Sequence, residues 1–154
     1  MLAALSIATS FAFALVMSQP LFFAFALGRA SLALSGPAYT ELRQRINAAL
    51  TRPLVAVYAL TFLGCLAVAG LAAKEGATTT AAGVGLAALA LVVDLVIAAK
   101  GNMPLNAAMN QWDPGALPPD WATKRAAWHR VFAVRQVVLC VGFVAFVVGA
   151  FGRL

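Results

Sequence analysis

Charge is scarce in this chain. Of 154 residues, 11 are Lys or Arg and 5 are Asp or Glu. That makes 10% charged, where a soluble domain carries roughly 25%. Too few charges are available to clothe a water-exposed surface, which excludes an ordinary soluble globular domain. Cysteine is scarce too. Cys65 and Cys140 sit far apart in separate apolar runs, a spacing that excludes a zinc motif and a disulfide framework. Both read as small hydrophobes. A single histidine, His129, would have to pair with Met17, Met103 or Met109 to hold a haem, and nothing places those residues together at mid-bundle. No cofactor and no metal is expected. Nucleophilic triads and phosphate loops are absent. So is the period-two alternation of a membrane barrel, and so is the inverted repeat of a transporter.

What is present is hydrophobic sequence, at 63% of the chain. Four runs reach the roughly 20 apolar residues that cross a bilayer: Leu2 to Leu27, Leu54 to Ala73, Thr80 to Ala99 and Trp128 to Phe151. Backbone groups in lipid must bond within their own segment, so each run should be an α-helix. The expected architecture is all-α, a single integral membrane four-helix domain over 1–154 with spans at about 2–27, 54–73, 80–99 and 128–151. The first run lacks a basic start and is longer than the apolar region of a secretory signal, so it reads as a retained span.

The net charge of +6 would suggest nucleic acid in a soluble protein. Here the positive residues gather at span ends, which reads as topology, and no nucleic-acid partner is expected. Arg29, Arg43, Arg45 and Arg52 follow the first span. Lys100, Lys124, Arg125 and Arg130 flank the loop after the third. Only Lys74 and Arg153 mark the other face. Both basic loops should therefore be cytoplasmic and both termini outside, in a bacterial cytoplasmic membrane. The bilayer is the first partner, with anionic lipid a secondary attraction.

Within the first basic loop, Ser35-Gly36-Pro37 opens a helix. Leu42, Ile46, Ala49 and Leu50 then recur at helical spacing. The expectation is a short amphipathic helix lying at the headgroups, after which Pro53 starts the second span. Lys74-Glu75-Gly76 makes a short hairpin, so the second and third spans should be antiparallel neighbours. Small residues from Ala81 to Ala88 allow close helix packing. In the second basic loop, Pro119 or Asp120 opens a last helix too long for the bilayer core. Its first turns, with Trp121, Lys124, Arg125, Trp128 and His129, should stand at the interface.

The informative residues are polar ones inside apolar helices. Asp94 lies about 12 Å deeper than Asn102 along a straight helix, Arg135 about 10 Å deeper than Trp128, and Gln19 about 15 Å from Arg29. Tyr58 enters early in the second span. All four helices can thus supply one polar layer beneath the basic face. An unpaired charge at such depth costs about 2.5–3.5 kcal/mol or more. Asp94 and Arg135 should therefore face each other, with Gln19, Tyr58, Asn102 and Gln136 meeting the remaining donors and acceptors. In Asn102-Met103-Pro104-Leu105-Asn106 the proline should end or kink the helix and push Met103 away from helical angles. The asparagine amides would then serve the bared backbone.

The stretch "GNMPLNAAMNQWDP" followed by "WHRVFAVRQVVLC" resembles the small four-helix membrane proteins related to fungal anthrone oxygenases. Asn102, Pro104 and Asn106 match the loop motif, and Trp128 and Arg135 match a tryptophan, six residues, arginine spacing. "SQPLFFAFALGRA" and "YTELRQRINAAL" are similar to bacterial members. Where members often carry His or Asn four residues after the tryptophan, this chain has Phe132. The resemblance implies oxidation of an anthrone to an anthraquinone by oxygen without an evident cofactor. Arg135 would stabilise the substrate's enolate and Asp94 would act as base, while Gln19, Tyr58, Asn102, Asn106 and Trp128 would form the binding or polar layer. The reading favoured by composition is different: an accessory or structural subunit packed in the bilayer against a larger membrane complex or a second copy. The alternative is a membrane oxygenase acting on a hydrophobic phenolic or quinone-like small molecule.

Overall fold

The computed structural model describes residues 1–152; Arg153, expected on the less basic face, lies outside them. Every described element is helical apart from turns and one isolated bridge between Asp113 and Ala116. The order is α1 (Leu2–Phe22), a π-helical turn (Phe23–Leu27), α2 (Gly28–Ala33), α3 (Gly36–Lys74), α4 (Thr78–Ile97), a second π-helical turn (Ala98–Asn102), α5 (Met103–Asn110) and α6 (Trp121–Phe151). The π turns join their neighbours end to end, so the chain forms four rods: 2–33, 36–74, 78–110 and 121–151. All four are long and apolar enough to cross a membrane. The protein is an all-α, integral membrane four-helix bundle.

Two expectations are corrected along the rods. The amphipathic segment after Pro37 is helical, but it is not a separate helix. It is the first half of α3, whose 39 residues span about 58 Å at helical rise. Pro53 sits inside α3 rather than starting a span. Its fixed φ suits a helix, and its ring is exposed, away from the packed face. Nor does Pro104 end the third rod. Met103 keeps helical angles (φ −64, ψ −45) and donates its N–H to the Ala98 carbonyl across the π turn. Pro104 then falls in the first turn of α5, where a missing N–H is tolerated. Register is gained in the π turn, so the proline needs no break.

The α3–α4 hairpin is tight, as expected. Gly76 adopts φ +72, a left-handed turn conformation that favours glycine. Packing is closest between α4 and α6. A Cβ placed on Gly83 would lie 2.7 Å from the Gly149 Cα, so the two backbones meet there without side chains between them. The main core draws on all four rods, including Phe13, Val16, Cys65, Leu91, Leu139 and Phe146. A second cluster of Tyr39, Met109, Trp112, Trp128 and Phe132 fills the basic end. Leu15, Leu60, Leu63, Val137, Val144 and Val148 face outward, an apolar belt suited to acyl chains. Cys65 is buried, Cys140 faces outward, and both are free.

Candidate functional site

Asp94 is fully buried on α4, and Arg135 on α6 meets it side-on. Arg135 Nε donates to Asp94 Oδ1 at 2.8 Å, and Nη2 donates to Oδ2 at 3.0 Å. Tyr58 on α3 donates its hydroxyl to Asp94 Oδ2 at 2.9 Å. The carboxylate therefore accepts three bonds, which is how a charge can be held in low dielectric. The remaining Arg135 contacts run outward, with Nη2 at 3.5 Å from the Tyr58 oxygen and Nη1 donating to Asn102 Oδ1 at 3.3 Å. Asp94 and Arg135 stand on adjacent rods at the same height, so the expected pair forms.

A second tier lies nearer the basic end. Asn102 Nδ2 donates to the Trp128 carbonyl at 3.1 Å. Trp128 Nε1 donates to Asn106 Oδ1 at 2.7 Å. Arg43 Nη2 donates to the same oxygen at 2.9 Å and to Asn47 Oδ1 at 3.1 Å. Its guanidinium carbon lies 4.0 Å from the centre of the Trp128 ring, a cation–π stack. Phe132, in the place where a polar residue was of interest, stacks on Trp128 with centroids 4.8 Å apart and planes 16° from parallel. It serves the aromatic floor of this tier and no polar function.

The expectation that all four rods feed the layer is corrected. Gln19 takes no part in it. Beside the ion pair the first rod contributes, among the described residues, a backbone group: Gln136 Nε2 donates to the Pro20 carbonyl at 3.0 Å, tying α6 to α1. Gln136 thus binds backbone rather than the ion pair. His129 lies 3.4 Å from Ser31 Oγ among Phe23 and Trp128. Among the described residues no three of His, Cys, Asp and Glu gather where they could hold a metal ion.

Sequence reasoning missed Arg43, Asn47 and Asn110. Arg43 was counted as a surface charge, yet it is only 7% exposed. Asn47 donates to Asn110 Oδ1 at 2.9 Å. Gln44 Nε2 donates to the carbonyls of Met109 and Trp112, satisfying backbone acceptors at the end of α5. The signal was in the sequence. Tyr39, Arg43, Asn47, Thr51, Leu54 and Tyr58 repeat at three- and four-residue steps, one stripe of a continuous helix.

Between α3 and the α4–α5 rod lies a half-open cavity of about 580 Å³. Tyr58, Asn102, Asn106 and Arg135 line its polar side, and Leu54, Val55, Phe62, Leu95 and Met103 its apolar side. Asp94 stands behind Tyr58 and Arg135 and does not line it. The volume falls within the roughly 300–1,000 Å³ of small-molecule sites, which also combine apolar walls with a few convergent polar groups. Compared with known proteins, the chain matches no family model, no curated protein and no solved structure.

Proposed function

We propose that this protein binds a hydrophobic phenolic or quinone-like molecule in the cavity between α3 and α4–α5, with Arg135, Tyr58 and Asn102 meeting its oxygen. The observation that carries this reading is the void itself beside the ion pair. A polar layer that only staples helices together needs no 580 Å³ space opening onto its guanidinium. An accessory subunit, the other reading of the sequence, leaves that space unexplained. The basic end faces the cytoplasm in this reading, of a bacterial cytoplasmic membrane, and both termini face outward.

The resemblance to anthrone-oxygenase-like proteins suggests what the bound molecule undergoes. A ring CH₂ of an anthrone becomes a carbonyl: the carbon loses two hydrogens and gains one oxygen atom from O₂, and the other oxygen atom leaves as water. The difficult step is loss of the first ring proton, which passes to water as the co-reactant base and places negative charge on the substrate oxygen. Arg135 is the group suited to stabilise that charge, because it is already oriented in a low-dielectric wall. Asp94 acts through it. By fixing Nε and Nη2, the carboxylate aims the rest of the guanidinium at the cavity. Asp94 is thus a positioning residue rather than the base that attacks the substrate.

The test is gentle detergent extraction followed by mass spectrometry of what travels with the protein. One aromatic ketone or phenol per chain supports the reading. A stoichiometric set of larger subunits with an empty cavity would replace it with the accessory role.

A further inference from the structure

The polar wall of the cavity has a hydrogen-bonding sense, fixed by groups that can act in one way only. Guanidinium and indole N–H groups donate and never accept. Arg43 Nη2 and Trp128 Nε1 both donate to Asn106 Oδ1. The Asn106 carbonyl is therefore turned to the protein, and its amino group is left over. Arg43 also donates to Asn47 Oδ1, so the Asn47 amino group is the one that donates to Asn110 Oδ1. The Asn110 amino group is left over in turn. Asn102 is oriented by Arg135: its oxygen accepts from Nη1, one N–H goes to the Trp128 carbonyl, and the second N–H remains.

Arg135 adds one more donor. A guanidinium carries five N–H groups, and four go to Asp94, Tyr58 and Asn102. The fifth, on Nη1, is uncommitted. Asn102, Asn106 and Arg135 line the cavity, and Asn110 stands with Thr51 at its exposed rim. The two hydroxyls on its wall do not restore balance. Tyr58 gives its proton to Asp94, and its oxygen already faces Arg135. Thr51 gives its proton to the Asn47 carbonyl and stands at the exposed rim. Among the described residues no carboxylate lines the space. The wall holds a surplus of N–H donors and a shortage of acceptors.

Resting on the reading of this cavity as a site for a phenolic or quinone-like molecule, we infer that it selects the acceptor form. A flat quinone or aromatic ketone, whose oxygens only accept, matches the surplus donors. The corresponding hydroquinone brings O–H groups that must donate, and it meets few free acceptors. A buried donor without a partner weakens binding more than a made hydrogen bond strengthens it. In the oxidation proposed above the anthrone and its quinone product both present acceptor carbonyls, so the site would hold either of them and leave a hydroquinone to the bilayer.

The experiment uses the full chain in lipid nanodiscs, with three probes of one shape: 9,10-anthraquinone, 9,10-dihydroxyanthracene kept under argon, and anthracene. Equilibrium dialysis against empty nanodiscs removes the contribution of lipid partitioning. Anthraquinone should bind about tenfold more tightly than the diol, with anthracene weakest. Asn106→Asp keeps the shape and the bonds from Arg43 and Trp128 but replaces a surplus donor with an acceptor, so it should shrink or invert the quinone-to-diol ratio. Equal or tighter binding of the diol by the wild-type chain overturns the inference. So does an unchanged ratio in a folded Asn106→Asp protein. Saturable binding by none of the three probes removes the cavity reading itself, a different failure from the wrong preference.

Discussion

At the scale of single residues, the buried pair is the feature on which the bundle's interior turns. Asp94 has no exposure, and Arg135 is 9% exposed. Removing one partner strands the other in low dielectric, which typically destabilises by about 3–5 kcal/mol. Arg135→Ala is expected to lower thermal stability in detergent by that order, and Asp94→Ala likewise. An apolar double replacement, Asp94→Leu with Arg135→Met, should be much milder than either single change, because no charge is left unpaired. Thermal denaturation of the three variants checks this. A double variant worse than the sum of the singles would contradict the pairing. Arg43 makes a second, independent case. Its Nε is buried without a partner, so part of its cost is already paid by the native state. Arg43→Met, which keeps an unbranched apolar stem but removes the guanidinium over Trp128, should cost about 1–2 kcal/mol through the lost charge-assisted bonds to Asn47 and Asn106, read as a lower melting temperature.

At the scale of elements, glycine position separates packing from mere flexibility. Gly83 and Gly85 lie on the same helix two residues apart. An added Cβ at Gly83 would press on the Gly149 backbone, whereas one at Gly85 meets nothing within 4 Å. Gly83→Ala should therefore cost about 1–3 kcal/mol by overpacking, while Gly85→Ala stays within about 0.5 kcal/mol of the wild type or gains slightly in helix propensity. Comparing their unfolding in detergent tests the α4–α6 contact directly. Much of this level was legible in the sequence. Hydropathy and length marked the four rods, and depth counted along ideal helices paired Asp94 with Arg135. What stayed hidden depended on continuity. Reading Pro53 as the start of a span cut the Tyr39-to-Tyr58 stripe in two, so Arg43 and Asn47 were taken for surface residues. Reading Pro104 as a break hid the π turn at Ala98–Asn102 that lets Asn106 reach Trp128. A proline's cost depends on the turn before it, and a one-residue shift in hydrogen-bond register, from i→i−4 to i→i−5, leaves no clear trace in composition. Gln19 failed for another reason. Depth fixes height but not azimuth, and the first rod brings the Pro20 carbonyl, not the Gln19 side chain, to α6.

At the scale of the whole molecule, the way into the cavity follows from which ends are tied. Toward the basic end, α3 is bound to the last turns of the third rod through Asn47–Asn110, Arg43–Asn106 and the two Gln44 bonds to the carbonyls of Met109 and Trp112. These ties bridge the two rods at the polar end of the space. On its flank, Val55, Leu95 and Met103 line the cavity and are exposed where acyl chains would lie. A ligand that arrives through such a flank must first dissolve in the bilayer. Ala59 is the residue that keeps this flank wide, since it lines the cavity one turn beyond Val55 and is exposed. Ala59→Phe should block binding of anthraquinone in nanodiscs while leaving thermal stability within about 0.5 kcal/mol, as surface changes away from packed contacts do. Asn110→Ala, which loosens the other end, should leave the rate of loading from lipid unchanged. If instead Asn110→Ala speeds loading of a water-soluble sulfonated anthraquinone and Ala59→Phe has no effect, the path runs through the polar ties and not through the membrane. The distinction bears on function, because a flank open to lipid restricts the protein to molecules that the bilayer itself concentrates.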